Sequence, residues 1–192
     1  MIESNTMDVL PPPGEADGAS DEEPGPSPAG VVILGGAWHE QESSVLRVHE
    51  AVNAAVRFVP ALADGEIAIA LSCDADVRRL NAQFRGKDEP TNVLSFPAAA
   101  GPDDADRAPS GDIVIAYETV LREAATEGKP LHHHLAHLVV HGLLHLAGHD
   151  HDTETDAEIM EALERRILES IGIPDPYRSD VEEDQPLAET RL

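Results

Sequence analysis

One run of eleven residues constrains this chain more than any other: positions 141–151 read H-G-L-L-H-L-A-G-H-D-H. In an α-helix, His141 and His145 lie one above the other on the same face, about 6 Å apart, so both can reach one metal ion. Gly148 can adopt the left-handed conformation that ends a helix, and the reversed chain can then bring His151 back. The spacing therefore predicts a metal site with His141, His145 and His151 as ligands.

The type and number of these ligands favour a catalytic zinc site. Three neutral imidazoles suit Zn²⁺, and three protein ligands leave a fourth tetrahedral position for a water that can ionise near neutral pH. Metzincin proteases share the spacing but carry glutamate, their general base, directly after the first histidine, where this chain has Gly142. His149 would replace His151 as a ligand if the helix continued, but Gly148 makes continuation unfavourable. A histidine-rich helix without metal is the alternative, and the glycine turn favours the metal.

The overall composition limits the class of protein and its partners. A chain of 192 residues with 41% hydrophobic content is enough for one domain with a sizeable core. The single cysteine, the lack of a signal-like start and the lack of an apolar run of about 18 residues predict a cytoplasmic protein without membrane insertion. The net charge of −24 argues against general binding to duplex nucleic acid. An RNA substrate must therefore meet a local basic patch or be delivered by a partner.

The order of apolar patterns predicts an α+β single domain with a small mixed sheet covered by helices. The first 30 residues are rich in proline, glycine, serine and acid and are expected to be a disordered acidic tail. Residues 31–177 form the expected domain, and 178–192 form an acidic C-terminal tail. A polar loop at 103–107 is expected to be mobile. The predicted strands are 31–34, 66–72, 92–96 and 112–116, and the predicted helices are 45–62, 74–84, 119–127, 131–147 and 153–170.

Three segments together resemble the YbeY family of bacterial rRNA maturation factors, which are metal-dependent, single-strand-specific endoribonucleases. They are the histidine run at 141–151, F-R-G-K-D-E-P-T-N-V-L-S-F-P at 84–97 and G-D-I-V-I at 111–115. The likeness spans roughly residues 31 to 177, and two long motifs in the right order are far more specific than one short pattern. His149 and Asn92 depart from the commonest pattern, which has tyrosine and aspartate there.

The resemblance implies more than the spacing alone. It implies a zincin-like metal-binding helix with one zinc ion per chain on the three histidines, and a functional arginine at Arg85. It also implies a single-stranded rRNA precursor as substrate, in 3′-end processing of small-subunit rRNA and in ribosome quality control. The expected partners are the ribosome or its small subunit and assembly factors.

Several side chains near these motifs have competing interpretations. Arg85 would offer a forked, permanently charged donor to phosphate, and its alternative is a surface salt bridge to Asp88. Lys87 is a weaker candidate for a phosphate contact. Asp150 either orients a histidine or caps the turn, so no general base is assigned. His137 is either a core histidine or a neighbour of the ligands. A solvated helix start is expected for His132, His133 and His134, and a solvated charged face for Glu154, Asp156, Glu158 and Glu161.

The sequence is compatible with three functions. The first is a zinc-dependent endoribonuclease that acts on single-stranded precursor rRNA. The second is a metallohydrolase of another substrate class, including peptides, which the helix geometry permits and Gly142 argues against. The third is a ribosome-associated binding protein with a structural metal, which the acidic composition supports and an open coordination position opposes.

Overall fold

The computed structural model describes residues 27–41, 43–99 and 108–178. The expected tails, apart from the residues at their inner ends, and the expected polar loop at 103–107 lie outside these ranges. The described strands are β1 (Ala29–Ile33), β2 (Ile67–Ser72), β3 (Val93–Pro97) and β4 (Gly111–Ala116). The described α-helices are α1 (Ser44–Phe58), α2 (Asp74–Arg85), α3 (Tyr117–Thr126), α4 (Leu131–Leu146) and α5 (Glu154–Glu169).

The four strands form one mixed sheet in the order β1-β2-β4-β3. Strands β1, β2 and β4 run parallel, whereas β3 pairs antiparallel with β4 and lies at the edge, with Val93 opposite Ile115 and Phe96 opposite Asp112. Helices cover the sheet, so the predicted α+β class with a small mixed sheet is confirmed. Among the described residues, no helix is both long and apolar enough to cross a bilayer.

The core explains why α4 presents its histidines away from the sheet. Leu135, Val139 and Leu143 recur on one side of α4 and are almost completely buried together with residues of α1 and the sheet. Burial of each such side chain contributes roughly 1.5–3 kcal/mol, so this apolar stripe fixes the rotation of the helix about its axis. The polar side of α4 is then left beside α5 and the edge strand.

A second, smaller cluster lies on the other face of the sheet, under α2. It consists of the buried residues Val77, Leu94, Val114 and Ala116, with Phe96 packed against it. The alternation of side chains along β3 separates the two faces, because Ser95 points toward α4 while Leu94 and Phe96 point toward α2.

Two short 3₁₀ helices were not predicted. The first predicted helix, 45–62, was wrong at its end: α1 stops at Phe58, and a separate turn follows at Pro60–Asp64. Proline lacks an N–H and disfavours helical geometry in the residue before it, and Val59 accordingly has φ −129° and ψ 77°. The second 3₁₀ helix, Gly36–Glu40, lies in the predicted polar linker and buries Trp38, whose Nε1 donates to the Ser72 carbonyl at 2.9 Å.

Candidate metal centre

The structure brings the three predicted histidines together. His141 and His145 lie one turn apart on α4, and His151 approaches from the loop before α5. One ring nitrogen from each lies within 4.8 Å of the others, an arrangement that could hold a metal ion. His141 and His145 are half-buried and His151 is exposed. This three-histidine cluster therefore sits at the surface, open on the side of His151.

The turn that returns His151 forms as the sequence predicts. Helix α4 ends at Leu146, and Gly148 has φ +87°, the left-handed region that glycine adopts without steric cost. The N–H of His149 donates to the carbonyl of Leu144 at 3.0 Å, which satisfies a carbonyl at the helix end. Asp150 then accepts a hydrogen bond from the backbone N–H of His151 at 2.8 Å, so its side chain caps the turn.

Hydrogen bonds decide which ring nitrogens face the centre of the cluster. The Nδ1 of His145 donates to the carbonyl oxygen of His149 at 3.0 Å, and the Nδ1 of His141 donates to the Glu164 carboxylate at 2.8 Å. Because both acceptors can only accept, each ring carries its proton on Nδ1 and leaves Nε2 as a lone pair. Burial, together with the nearby His141 and His151, lowers the pKa of His145, which favours its neutral, ligating form.

The two free nitrogens fit a tetrahedral metal ion. The Nε2 atoms of His141 and His145 lie 3.1 Å apart. Metal–nitrogen bonds of 2.0–2.1 Å at tetrahedral angles place two ligand atoms about 3.3–3.4 Å apart. Two lone pairs that face each other at this distance repel unless a cation lies between them. The donor set and its spacing therefore suit a metal bound by three imidazoles.

Glu164, which the sequence reasoning missed, holds one of the three predicted ligands, His141. Its side chain is 0% exposed and lies 3.0 Å from Nε2 of His137 and 2.8 Å from Nδ1 of His141. The hydroxyl of Tyr177 also donates to it. Burial alone would raise the pKa of Glu164, but the hydrogen bonds from His137, His141 and Tyr177 lower it to about 2. The carboxylate is therefore ionised and fixes both the tautomer and the orientation of His141.

One feature of the sequence could have indicated the role of Glu164. Glu164 falls one turn after Met160 and one turn before Leu168, so it lies on the buried stripe of α5. Lone carboxylates on a buried stripe are rarely left unpaired, because desolvation disfavours the charge. A search for histidine partners of that carboxylate would have led to α4.

The other helix histidines also differ from expectation in part. His137 binds Glu164 and is therefore a neighbour of the ligands, one of its two predicted interpretations. The expected solvated helix start holds for His132, which is exposed, but is wrong for His134. His134 is 6% exposed, because its Nε2 bonds the Glu123 carboxylate at 2.8 Å and draws the ring into the protein.

Arg85 lies at the end of α2, where Gly86 takes φ +70° and ends the helix. Its predicted alternative role, a salt bridge to Asp88, is wrong, because Asp88 makes a two-point contact with Arg78 at 2.7 and 2.9 Å. Among the described parts of the chain, neither a hydrogen bond nor an ion pair joins Arg85 to the histidines or to another residue. The Arg85 guanidinium is exposed.

A groove beside the cluster provides room for a ligand. It has a volume of about 390 Å³, in the range of small-molecule sites, and its lining includes His141, His137, Tyr177 and Asn92. Asn92 donates to Glu123 at 3.0 Å and so belongs to the same polar wall. A group bound in this groove would lie next to a cluster histidine.

Fold and site together define a small α+β protein with a surface centre of three histidines that could hold a metal ion. A family model described as Endoribonuclease YbeY matches residues 38–172. A protein of that name from Rhodopseudomonas palustris is 55% identical over 160 residues, which cover 81% of this chain and 92% of that protein. Another from a Bradyrhizobium species is 52% identical over 152 residues, which cover 77% and 90%. The chain belongs to the endoribonuclease YbeY family.

A solved structure is similar in fold. The solution structure of a Thermotoga maritima protein matches with a TM-score of 0.50 and 25% identity, covering 81% of this chain and 99% of that one. The resemblance seen in the sequence is thus confirmed, and so is the expectation that the chain is an enzyme of an endoribonuclease family. The metal-ligand roles of His141, His145 and His151 and the catalytic role of Arg85 stay predictions.

Proposed function

We propose that this protein is a zinc-dependent, single-strand-specific endoribonuclease that matures the 3′ end of small-subunit rRNA and takes part in ribosome quality control. The observation that carries the proposal is the pair of Nε2 atoms of His141 and His145, held 3.1 Å apart by bonds at both Nδ1 atoms, with His151 beside them. The family assignment supplies the reaction class.

The proposed zinc ligands are His141, His145 and His151, one ion per chain. When bound to three imidazoles, zinc supplies water activation near neutral pH and neutralises charge on a phosphate. Glu164 and the carbonyl of His149 hold two of the rings with their Nε2 atoms facing each other, where they would bind the ion. No side chain is assigned as general base. Asp150, the acidic residue next to His151 in sequence, accepts a hydrogen bond from the backbone N–H of His151 and caps the turn.

Arg85 is the proposed phosphate-binding catalytic residue. A guanidinium presents two parallel N–H groups to phosphate oxygens and stays charged at every relevant pH. Since Asp88 is taken by Arg78, the charge of Arg85 is available for a phosphate. Negative charge that grows on the phosphate during cleavage would then meet a fixed cation.

The proposed cellular setting follows from the charge of the chain. A chain with net charge −24 lacks the extended basic surface that duplex binding needs, which favours single-stranded precursor rRNA presented by the ribosome, its small subunit or assembly factors. We place this activity in the cytoplasm. Residues 31–177 are the proposed catalytic domain, and the acidic segments 1–30 and 178–192 are proposed to lie outside it.

Peptide hydrolysis, the second candidate, is disfavoured by the position of Gly142. A Cβ at this position would lie 3.0 Å from Ile113 and 3.1 Å from Ser95 Oγ. The side chain of a protease-type glutamate would therefore run into the sheet. A binding protein with a structural metal, the third candidate, is disfavoured by the exposure of His151, since structural sites are closed by protein ligands.

The test compares three substrates: a single-stranded RNA, the same RNA in a duplex, and an unstructured peptide. Wild type loaded with zinc should cleave only the single strand. Arg85→Ala should retain zinc and lose cleavage, whereas Arg79→Ala, which removes an exposed arginine already paired with Asp76, should cleave normally. Peptide cleavage would favour the second candidate, and zinc binding without any cleavage would favour the third.

A further inference from the structure

An exposed aromatic pair lies at the junction of α2 and β3. Phe84, on the last turn of α2, is 60% exposed, although the whole chain has only three phenylalanines. Its ring meets that of Phe96 on β3 at 5.1 Å between centroids and an angle of 62°, a favourable edge contact. Unlike exposed aliphatic side chains such as Leu46, this ring offers an aromatic face on which a planar ligand can stack.

The pair is rigidly supported from below. Phe96 packs against the buried cluster under α2, which contains Val77 and Leu94, and its backbone is held in the sheet opposite Asp112. Phe84 is in turn held by Phe96. The exposed ring therefore has a buried support on one side, which restricts its motion before a ligand binds and lowers the entropy lost on binding.

The charges beside the ring differ from those elsewhere on α2. Arg78 and Arg79 are paired with Asp88 and Asp76. Arg85 and Lys87, which lie one and three positions after Phe84, are exposed and form no ion pair within the described ranges. In a chain of net charge −24, two cations that form no ion pair with the described residues, next to an exposed ring, suit a ligand that is both aromatic and anionic.

Strand β3 links this surface to the metal centre. The Oγ of Ser95 lies 3.5 Å from the carbonyl of Gly142, the residue after His141 on α4. The next residue of the strand, Phe96, faces the opposite side of the sheet. Since β3 is the edge strand and both α2 and α4 contact it, a single-stranded chain that crosses this edge would pass from the side of Phe84 to the side of α4.

We propose that Phe84, supported by Phe96, is a stacking site for one unpaired base of the RNA, next to the reacting phosphate that Arg85 is proposed to bind, and that Lys87 holds a neighbouring phosphate. This surface, formed by Phe84, Arg85, Lys87 and Phe96, is called the α2–β3 corner below. The inference rests on the proposed function and adds a base-binding subsite to it. Aromatic stacking tolerates every base, so the subsite selects for single strands and not for a sequence.

Substitutions at Phe84 test the stacking directly. Phe84→Leu should raise KM for single-stranded RNA about 10-fold to 100-fold with little change in kcat, as removal of a stacking ring does. Phe84→Tyr keeps the ring and should restore KM to near the wild-type value. Leu46→Ala on α1 is the matched control, because Leu46 is 71% exposed and lies outside the corner. Equal KM values for Phe84→Leu and Leu46→Ala would overturn the proposal.

A second measurement separates stacking from a structural effect. Single abasic sites are introduced in turn along the RNA, and KM is measured for wild type and Phe84→Leu. Wild type should lose affinity when one particular base is missing, and Phe84→Leu should be insensitive at that position. An abasic penalty that persists in the variant would overturn the stacking site. Failure of wild type to cleave any RNA would instead overturn the proposed function, so the two failures are distinguishable.

Discussion

The three-histidine cluster and the α2–β3 corner differ in how many protein partners hold their side chains and in how far those side chains are exposed. In the cluster, the rings of His141 and His145 are held by protein partners, and the carboxylate behind them, Glu164, is 0% exposed. In the corner, Arg85 and Lys87 extend into solvent without ion-pair partners among the described residues, and the ring of Phe84 is 60% exposed.

This difference shows which parts of the site are complete before ligands bind. A metal ion needs ligand atoms within a few tenths of an ångström of fixed positions, so its ligands require partners that orient them. A flexible single strand adapts to the protein, so exposed charges and one fixed ring suffice. Substitutions in the cluster should therefore change metal affinity, and substitutions in the corner should change RNA binding or cleavage without metal loss.

Arg85→Ala should have the largest effect of the corner substitutions. Loss of a charged donor to the reacting phosphate is expected to slow cleavage about 100-fold to 1,000-fold. Arg85→Lys should recover only part of the rate, because a lysine cannot make the two-point contact. Single-turnover cleavage and zinc titration on the same preparations check both points. Loss of zinc together with activity would show that a substitution in the corner also affects metal binding in the cluster.

Glu164→Gln should weaken zinc binding about 10-fold to 100-fold, because the amide no longer holds the Nδ1 proton of His141 as a carboxylate does. Competition with a fluorescent zinc chelator measures the affinity. Glu161→Gln is the matched control, since Glu161 lies about one turn earlier on α5, pairs with Arg165 at 3.6 Å and makes no hydrogen bond to a histidine among the described residues. Unchanged affinity in Glu164→Gln would show that His141 needs no such partner.

Gly148→Ala should destabilise the protein by about 1 kcal/mol, since φ +87° is strained for any residue with a Cβ. Denaturant unfolding measures this loss. The same variant should bind zinc more weakly, because the turn positions His151, while single-stranded RNA should bind unchanged. Gly30→Ala in β1 serves as the control, as a Cβ there meets nothing nearer than 4.0 Å. A loss of stability without a loss of zinc affinity would show that zinc binding does not depend on the conformation of this turn.

Lys87→Ala should have the smallest effect, a few-fold weaker binding of single-stranded RNA. One lost phosphate contact should reduce the slope of log affinity against log salt by about 0.7. Titrations at several salt concentrations, with Arg79→Ala as control, measure the slope. An unchanged slope would remove Lys87 from the corner and leave Arg85 as its proposed phosphate contact.

The cluster was predictable from the sequence because its geometry is local. His141, His145 and the turn at Gly148 follow from helix periodicity and glycine backbone freedom within eleven residues. The strands and helices also follow from local periodicity, except where Pro60 divides a helix and where Trp38 forms a buried turn.

The partners of the cluster were not predictable in this way. Glu164 lies 23 positions after His141 and contacts it only because α5 packs against α4. Tyr177 lies 36 positions after His141 and contacts Glu164 from the segment that follows α5. The sequence likewise did not show whether Asp88 pairs with Arg78 or with Arg85. Both arginines are near in sequence, and the tertiary position of the loop selects Arg78.

The central claim is that the three histidines hold the metal that RNA cleavage needs. Elemental mass spectrometry of wild type, His145→Ala and the control His132→Ala, each assayed on the same single-stranded RNA, tests it most directly. We expect near-stoichiometric zinc and cleavage in wild type and His132→Ala, with both lost in His145→Ala. Wild type that cleaves RNA without bound metal, or His145→Ala that keeps zinc and cleaves normally, would contradict it.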